Sequence, residues 1–348
     1  MKGLKSIVLT ACAAVISIAL IPAHSASAAT SAALSIVPKK NYVVEPGKTI
    51  KDTLVIRNLD SKSTLDLTLR VVDFTYNDDG GTPKLMLAED APQTTWSLKP
   101  FLKVPQKVTV EPNKSTTVNM NVAIPAGQGA GSYYSAIVYS SGDSDGKGNV
   151  GLNASGVTLA FVNVPGQAKE DLKLERFGAY MTAEGKRSAQ FVAFATEDPK
   201  NVAYTLKNNG NVAEAPVGTI TIKPLFGGDK TISDVNPNQS LALIGQTRTY
   251  TACVALKAEQ VNFNGSETKS KVCDNTGLWP GFYRLSLDMF YGQNGNKTQE
   301  LNGSSWFIYM PVWSIIVLIV LLLVLGFFGY KGYSAVRGKV GKKSSRKK

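Results

Sequence analysis

Alternation of apolar and polar positions dominates this chain. Leu65, Leu67, Leu69 and Val71 alternate with Asp66, Thr68 and Arg70, which predicts a strand with one buried face. Residues 53–57, 107–110 and 118–122 follow the same rule. In the second half, residues 189–195, 203–207, 219–222, 249–255 and 282–291 do likewise. Turn residues punctuate these runs: Glu45-Pro46-Gly47, Asn77-Asp78-Asp79-Gly80-Gly81 and Glu111-Pro112-Asn113. Proline presets the backbone at the second turn position, and Gly and Asn tolerate positive φ at the third. The segments VEPGKTIKDTLVI and VEPNKSTTVNMNV repeat one turn-then-strand device within the first half. Short strands separated by such turns predict β-sandwiches. One spans 33–165 and a second 169–308, with Pro165–Asp171 as linker. Gly131-Ser132-Tyr133-Tyr134 and Pro280-Gly281-Phe282-Tyr283 each open a late strand near the edge of its sandwich. Their tyrosines read as core or corner residues rather than as ligand platforms.

The two ends break the alternation. Lys2 and Lys5 precede an apolar run from Ile7 to Ile21, followed by Pro22 and Ala26-Ser27-Ala28. Charged start, apolar middle and small-residue cleavage site predict a signal peptide over 1–28. Leu9-Thr10-Ala11-Cys12 is similar to a lipobox, but Cys12 follows Lys5 too closely and the apolar run continues past it. The second apolar stretch carries no charge between Glu300 and Lys331. A transmembrane helix is predicted over 309–330, about 33 Å long at the usual helical rise, enough for a hydrocarbon core of roughly 30 Å. Trp306, Tyr309 and Trp313 stand at one end of it and Tyr330 and Tyr333 at the other, as interfacial anchors do.

Net charge is +12, which by itself invites a nucleic-acid reading. Position argues otherwise. Ten of the 38 basic residues lie at the extreme ends, leaving 28 against all 26 acids in between. The basic tail 331–348, with Lys331 and Arg337 nearest the span, then fixes orientation: basic flanks stay cytoplasmic. The expected location is the cell membrane, with one span, the N-terminal domains extracellular and the tail cytoplasmic. No nucleic-acid partner is expected.

His24, the only histidine, falls in the predicted signal peptide, so the exported part has no imidazole for Ser-His-Asp or Cys-His catalysis. No phosphate-binding Gly-rich loop is present. Acids are plentiful, but no two are marked as a hydrolytic pair. Asp143, Asp145 and Asn149 match the alternate oxygens of a calcium loop, yet Lys147 and Ala154 stand where that loop needs an oxygen donor and a glutamate. A hairpin connection fits them better, and neither cofactor nor metal is expected. Cys253 and Cys273 remain in an exported setting, where a disulfide is the natural expectation. Six Asn-x-Ser/Thr sites, at Asn113, Asn153, Asn238, Asn264, Asn296 and Asn302, read as chance in an Asn- and Ser-rich surface.

The segment WSLKPFLKVPQKVTVEPNKSTTVNMNVAIPAGQGAGSYYSAIVYSS resembles the first extracellular domain of the WxL-interacting proteins, a bacterial surface family. The pattern comprises Trp96, a strand, Val110-Glu111-Pro112-Asn113, a strand ending in Ile124-Pro125, and a Gly-led strand. The resemblance covers about residues 35–165; beyond them only the layout is similar, and Cys253 with Cys273 is foreign to the pattern. It implies two Ig-like domains, one span and a Lys-rich tail, with wall binding by the first domain and protein binding by the second. The expected fold is therefore all-β, two Ig-like β-sandwiches followed by one transmembrane α-helix. The expected function is non-catalytic binding of cell-wall polymer or of another surface or host protein. The alternatives are an accessory subunit of a membrane complex and a carboxylate-dependent carbohydrate-active enzyme.

Overall fold

The structure is a computed structural model that describes residues 34–76, 82–88, 90–141, 155–182, 188–263, 266–292 and 298–344. The expected signal peptide, residues 1–28, lies outside them.

The first sandwich faces a four-stranded sheet against a five-stranded one. The former has the order β1 (Leu34–Ile36), β3 (Thr49–Asn58), β9 (Ser115–Ala123), β7 (Leu102–Lys103). The latter has the order β2 (Lys39–Val43), β11 (Ser155–Val164), β10 (Gly131–Ser141), β4 (Leu65–Val72), β8 (Lys107–Val110). A small hairpin, β5 (Phe74–Tyr76) with β6 (Pro83–Leu85), continues from β4. The repeated turn device has a structural meaning. Glu45 O accepts from Lys48 N at 3.1 Å and Glu111 O from Lys114 N at 3.1 Å. Gly47 (φ 79°) and Asn113 (φ 55°) supply the positive φ. The strands these turns launch, β3 and β9, pair with each other along nine residues of β3, Thr49 to Arg57.

The second sandwich repeats the two-sheet plan. One sheet has the order β13 (Gln190–Val192), β12 (Leu172–Met181), β15 (Asn201–Asn208), β18 (Thr247–Cys253). The other has β14 (Phe194–Ala195), β22 (Gln299–Tyr309), β21 (Gly281–Tyr291), β16 (Val217–Pro224), β17 (Lys230–Ile232). Each sandwich has a strand that switches sheets. At Pro38, which has no N–H to continue a ladder, the chain passes from β1 to β2, and β2 runs parallel to β11. The single strand expected over 189–195 is split the same way at Ala193, with β14 parallel to β22.

Each sandwich has its own core. Leu54, Ile56, Met120, Ile137 and Tyr139 fill the first, and Tyr204, Ile220, Leu285, Met289 and Phe307 the second. A third apolar cluster joins the two: Phe74, Tyr134, Ala136 and Phe161 pack with Leu243 and Ile244. This explains why β10 is buried along its whole length. Its inner face meets the first core and its outer face meets the second sandwich. Both Gly-aromatic strands, β10 and β21, are central in their sheets, so their expected place near a sandwich edge is corrected. The tyrosines Tyr133, Tyr134 and Tyr283 are buried.

Polar bonds lock the junction. Ser132 N donates to Asn211 O at 2.9 Å and Ala213 N to Ser132 Oγ at 2.9 Å. Asn211 Nδ2 donates to Ala130 O at 3.2 Å and Gln167 O at 3.1 Å, so the expected linker is tied down. The Arg248 guanidinium lies 4.5 Å over the Tyr76 ring and 4.8 Å over Tyr250, a buried cation–π stack that crosses the junction.

The helix α1 spans Val312–Ser344. It begins three residues later than the expected 309, because Tyr309 still pairs with Gly281 and Ala195 as the last residue of β22. It also runs on through Lys331 and Arg337, so the first part of the basic tail is helical.

Candidate functional site

Polar or exposed side chains gather at several places outside the cores of the described residues. The first is a cleft of about 500 Å³ between the sandwiches. The edge strand β2 forms one wall with Lys39, Asn41 and Tyr42; Ser132 and Asn163 form its floor; Glu214, Asn238 and Gln239 close it from the second sandwich. The β2 wall is bonded to β3 through Asp52. Tyr42 Oη donates to Asp52 Oδ2 at 2.5 Å and Lys40 Nζ to the same oxygen at 2.7 Å. Those two bonds, Lys40 first, and the Thr53 backbone hold the Asp52 carboxyl down at about 2. Lys39 Nζ lies 4.9 Å over the Phe161 ring, and burial lowers its pKa.

The opposite wall is held by its own turn. Asn236 Nδ2 donates to Pro216 O at 2.9 Å and Ser240 O at 3.1 Å, which fixes Asn238 and Gln239 in place. Glu214 is the unusual member. It is 1 % exposed, Gly292 N donates to its Oε2 at 3.2 Å, and its Oε1 has no hydrogen-bond partner among the described residues. Burial, reinforced by the Glu170 charge, pushes its carboxyl up to about 7. Asp73, also buried, is by contrast satisfied: Ser97 Oγ donates to it at 2.6 Å, Ser135 Oγ at 3.1 Å and Thr94 N at 3.1 Å. Sequence reasoning missed Glu214, since no local spacing marks it. Among the described residues no group of three or more His, Cys, Asp or Glu side chains forms a metal site. Asp143, Asp145 and Asn149 lie outside the described residues.

The second place is the end of the second sandwich from which α1 leaves. Cys253 and Cys273 are bonded there, at the base of a hairpin of β19 (Leu256–Phe263) and β20 (Ser266–Cys273). This hairpin pairs with no other described strand. An isolated hairpin is marginal in water, and the disulfide staples its base. Asp198 accepts from Thr276 N at 2.8 Å and from the Thr276 hydroxyl, and Lys230 donates to Thr276 O, so the returning chain is pinned.

From this end α1 projects alone. Its stretch Val312–Ser334 is 23 residues of almost wholly apolar character, with side chains exposed on every side. At about 1.5 Å per residue it is roughly 35 Å long, enough to cross a bilayer. Of the residues expected as anchors, Trp306 and Tyr309 precede α1 and the others lie within it. Trp306 lies on β22, Tyr309 at the end of that strand, and Trp313 in the first turn of α1. Tyr330 and Tyr333 are exposed near the other end, and Lys331 Nζ lies 4.9 Å over the Phe327 ring. Arg337 is within α1.

No family model and no curated protein matches the chain. Among solved structures it is similar to the class 5 fimbriae chaperone CfaA, at 13 % identity and a TM-score of 0.35, covering 78 % of this chain and 98 % of that one. The E. coli chaperone DraB gives 12 % identity and a TM-score of 0.32, with 80 % and 98 % covered. The Pseudomonas aeruginosa chaperone CupB2 gives 8 % and 0.29, with 76 % and 96 % covered.

Proposed function

We propose that this chain is a non-catalytic, single-pass membrane protein that presents two rigidly joined Ig-like sandwiches for binding at the cell surface. The observation that carries the reading is the junction of sandwich and helix. A 23-residue, almost wholly apolar segment whose side chains are largely exposed leaves directly from the last strand of a folded β unit. In water such a surface is unstable, and in hydrocarbon it is satisfied. The basic residues after it orient the tail to the cytoplasm and the sandwiches outward.

The ligand class follows from the cleft and from the resemblance of residues 96–141 to the WxL-interacting proteins. Amide side chains at Asn41, Asn163, Asn238 and Gln239, with Tyr42 and Glu214, suit a hydroxyl-rich wall polymer or the backbone of a surface protein. Among the described residues that line the cleft Glu214 is the single acid, which favours binding over hydrolysis.

The test uses the full chain in nanodiscs. Retention on purified wall sacculi, or on one purified surface protein, that falls tenfold or more for Asn41→Ala with Asn163→Ala supports the reading. Unchanged retention by that variant overturns the cleft assignment. Release of reducing sugar from a glycan panel, abolished by Glu214→Gln, overturns the non-catalytic one.

A further inference from the structure

The sandwiches keep their aromatics inside with few exceptions, and the exceptions cluster. Outside α1, the exposed aromatic residues described are Phe194, Phe226, Trp279, Phe282, Phe290 and Trp306. All but Phe290 lie at the pole from which α1 leaves. The strand registers place them there: Phe194 and Phe282 are both paired with Ile308, and Leu225 N, beside Phe226, donates to Phe282 O at 3.0 Å. Trp279 is two residues ahead of Gly281, which pairs with Tyr309. Phe282 stacks on Trp306 with centroids 5.7 Å apart.

These side chains are not part of any core. Phe226 is 87 % exposed, Trp279 78 % and Leu225 67 %. Exposed apolar side chains gathered at one end of a sandwich in this way mark an interaction site rather than ordinary scatter.

We propose that this pole is a membrane-docking surface, with its aromatic rim seated in the headgroup layer of the same bilayer that α1 crosses. The inference rests on the span proposed above and adds an orientation to it. The tether decides the occupant. Met310 N still donates to Ala195 O at 2.9 Å, and α1 begins at Val312 behind Pro311. Two residues reach at most about 7 Å, and the headgroup layer on each side of a bilayer is about 5–8 Å thick. The pole therefore cannot leave that layer while α1 is inserted. Trp and Phe are suited to such a boundary, and an aqueous partner would have to compete with the lipid for it. Lys223 faces Arg284 across β16 and β21, two residues along β21 from Phe282 and level with Trp306, and Lys223 Nζ lies 3.8 Å from Asp229 Oδ2. Both basic residues are exposed, at the height where anionic phosphates would meet them.

The test is nitroxide labelling of the full chain, in a Cys12→Ser background, in nanodiscs of phosphatidylcholine with phosphatidylglycerol. Labels go at Phe226→Cys on the pole, Val317→Cys in the helix and Lys62→Cys on the first sandwich. Phe226 is exposed, so its replacement removes no packing. Collision with a water-soluble nickel complex should be severalfold lower at 226 than at 62, while oxygen access at 226 lies between the values at 62 and 317. If 317 reads hydrocarbon and 226 reads water like 62, the docking surface is refuted and the span stands. If 317 itself reads water, the span fails and the docking surface fails with it.

Discussion

Replacing Gly131 with alanine should damage the joint between the sandwiches more than any core. Gly131 has φ 145°, a region open almost only to glycine. A Cβ there would stand 2.5 Å from Asn211 O and 2.9 Å from the Trp96 ring. Asn211 O cannot give way easily, because it also accepts from Ser132 N at 2.9 Å. Backbone strain of about 1–3 kcal/mol and overpacking of about 1–3 kcal/mol together destabilise by roughly 2–6 kcal/mol. For a domain pair of this size that lowers Tm by roughly 5–20 °C. The control is Gly127→Ala, where an added Cβ meets nothing within 4 Å. Scanning calorimetry of the full chain in detergent should show Gly127→Ala close to the parent and Gly131→Ala well below it, with a broadened or divided transition as the sandwiches uncouple. Equal melting of the two variants would refute the claim that the second sandwich closes on Gly131.

Leu243→Ala empties part of the cluster around Phe74, Tyr134 and Phe161, and should cost about 2–5 kcal/mol in urea unfolding. Glu214 has a raised pKa, so the fold favours its protonated form; the stability it contributes is full below about pH 4 and is lost as pH rises through about 7. Urea midpoints should therefore fall between pH 5 and 8 in the parent and change less in Glu214→Gln. Asp52 works the other way: its stabilisation is present above about pH 4 and lost as pH falls through about 2, and Asp52→Asn should flatten that acid limb. Converting both Cys253 and Cys273 to serine removes a closure worth roughly 3 kcal/mol in the chain-entropy account. Because β19 and β20 pair with no other described strand, the loss should appear as faster tryptic cutting at Lys257, Lys269 or Lys271, with the main transition little moved.

How much of this was legible in the residues depends on whether a neighbour is local. The alternation at Leu65–Val71 marks β4 because one face meets the core and the other is less buried. It fails at β10, whose run of Tyr, Ala, Ile and Val is covered on both sides, the second side by Leu243 and Ile244 a hundred residues away. It fails again at Ala193, where a run that reads as one strand changes sheets. The run 256–273 is rich in Lys, Glu, Gln, Asn, Ser and Thr, with Leu256, Val261, Phe263 and Val272 in no sustained period, so only its cysteines announced it. The cleft joins Asn41, Asn163, Glu214 and Gln239 from separate strands and turns. No spacing along the chain can bring them together. The aromatic pole was half visible. Trp306, Tyr309 and Trp313 stand beside the apolar run, whereas Phe226 and Trp279 reach it only through strand register.

The central claim, one span with the sandwiches outside, is tested most directly by external protease on intact cells followed by alkaline carbonate extraction of the membranes. The account predicts that the β portion is digested from outside, and that a short fragment containing Val312–Ser334 stays in the carbonate pellet with its basic tail protected. Full-length chain that survives the protease, or that is released into the carbonate supernatant, would contradict it.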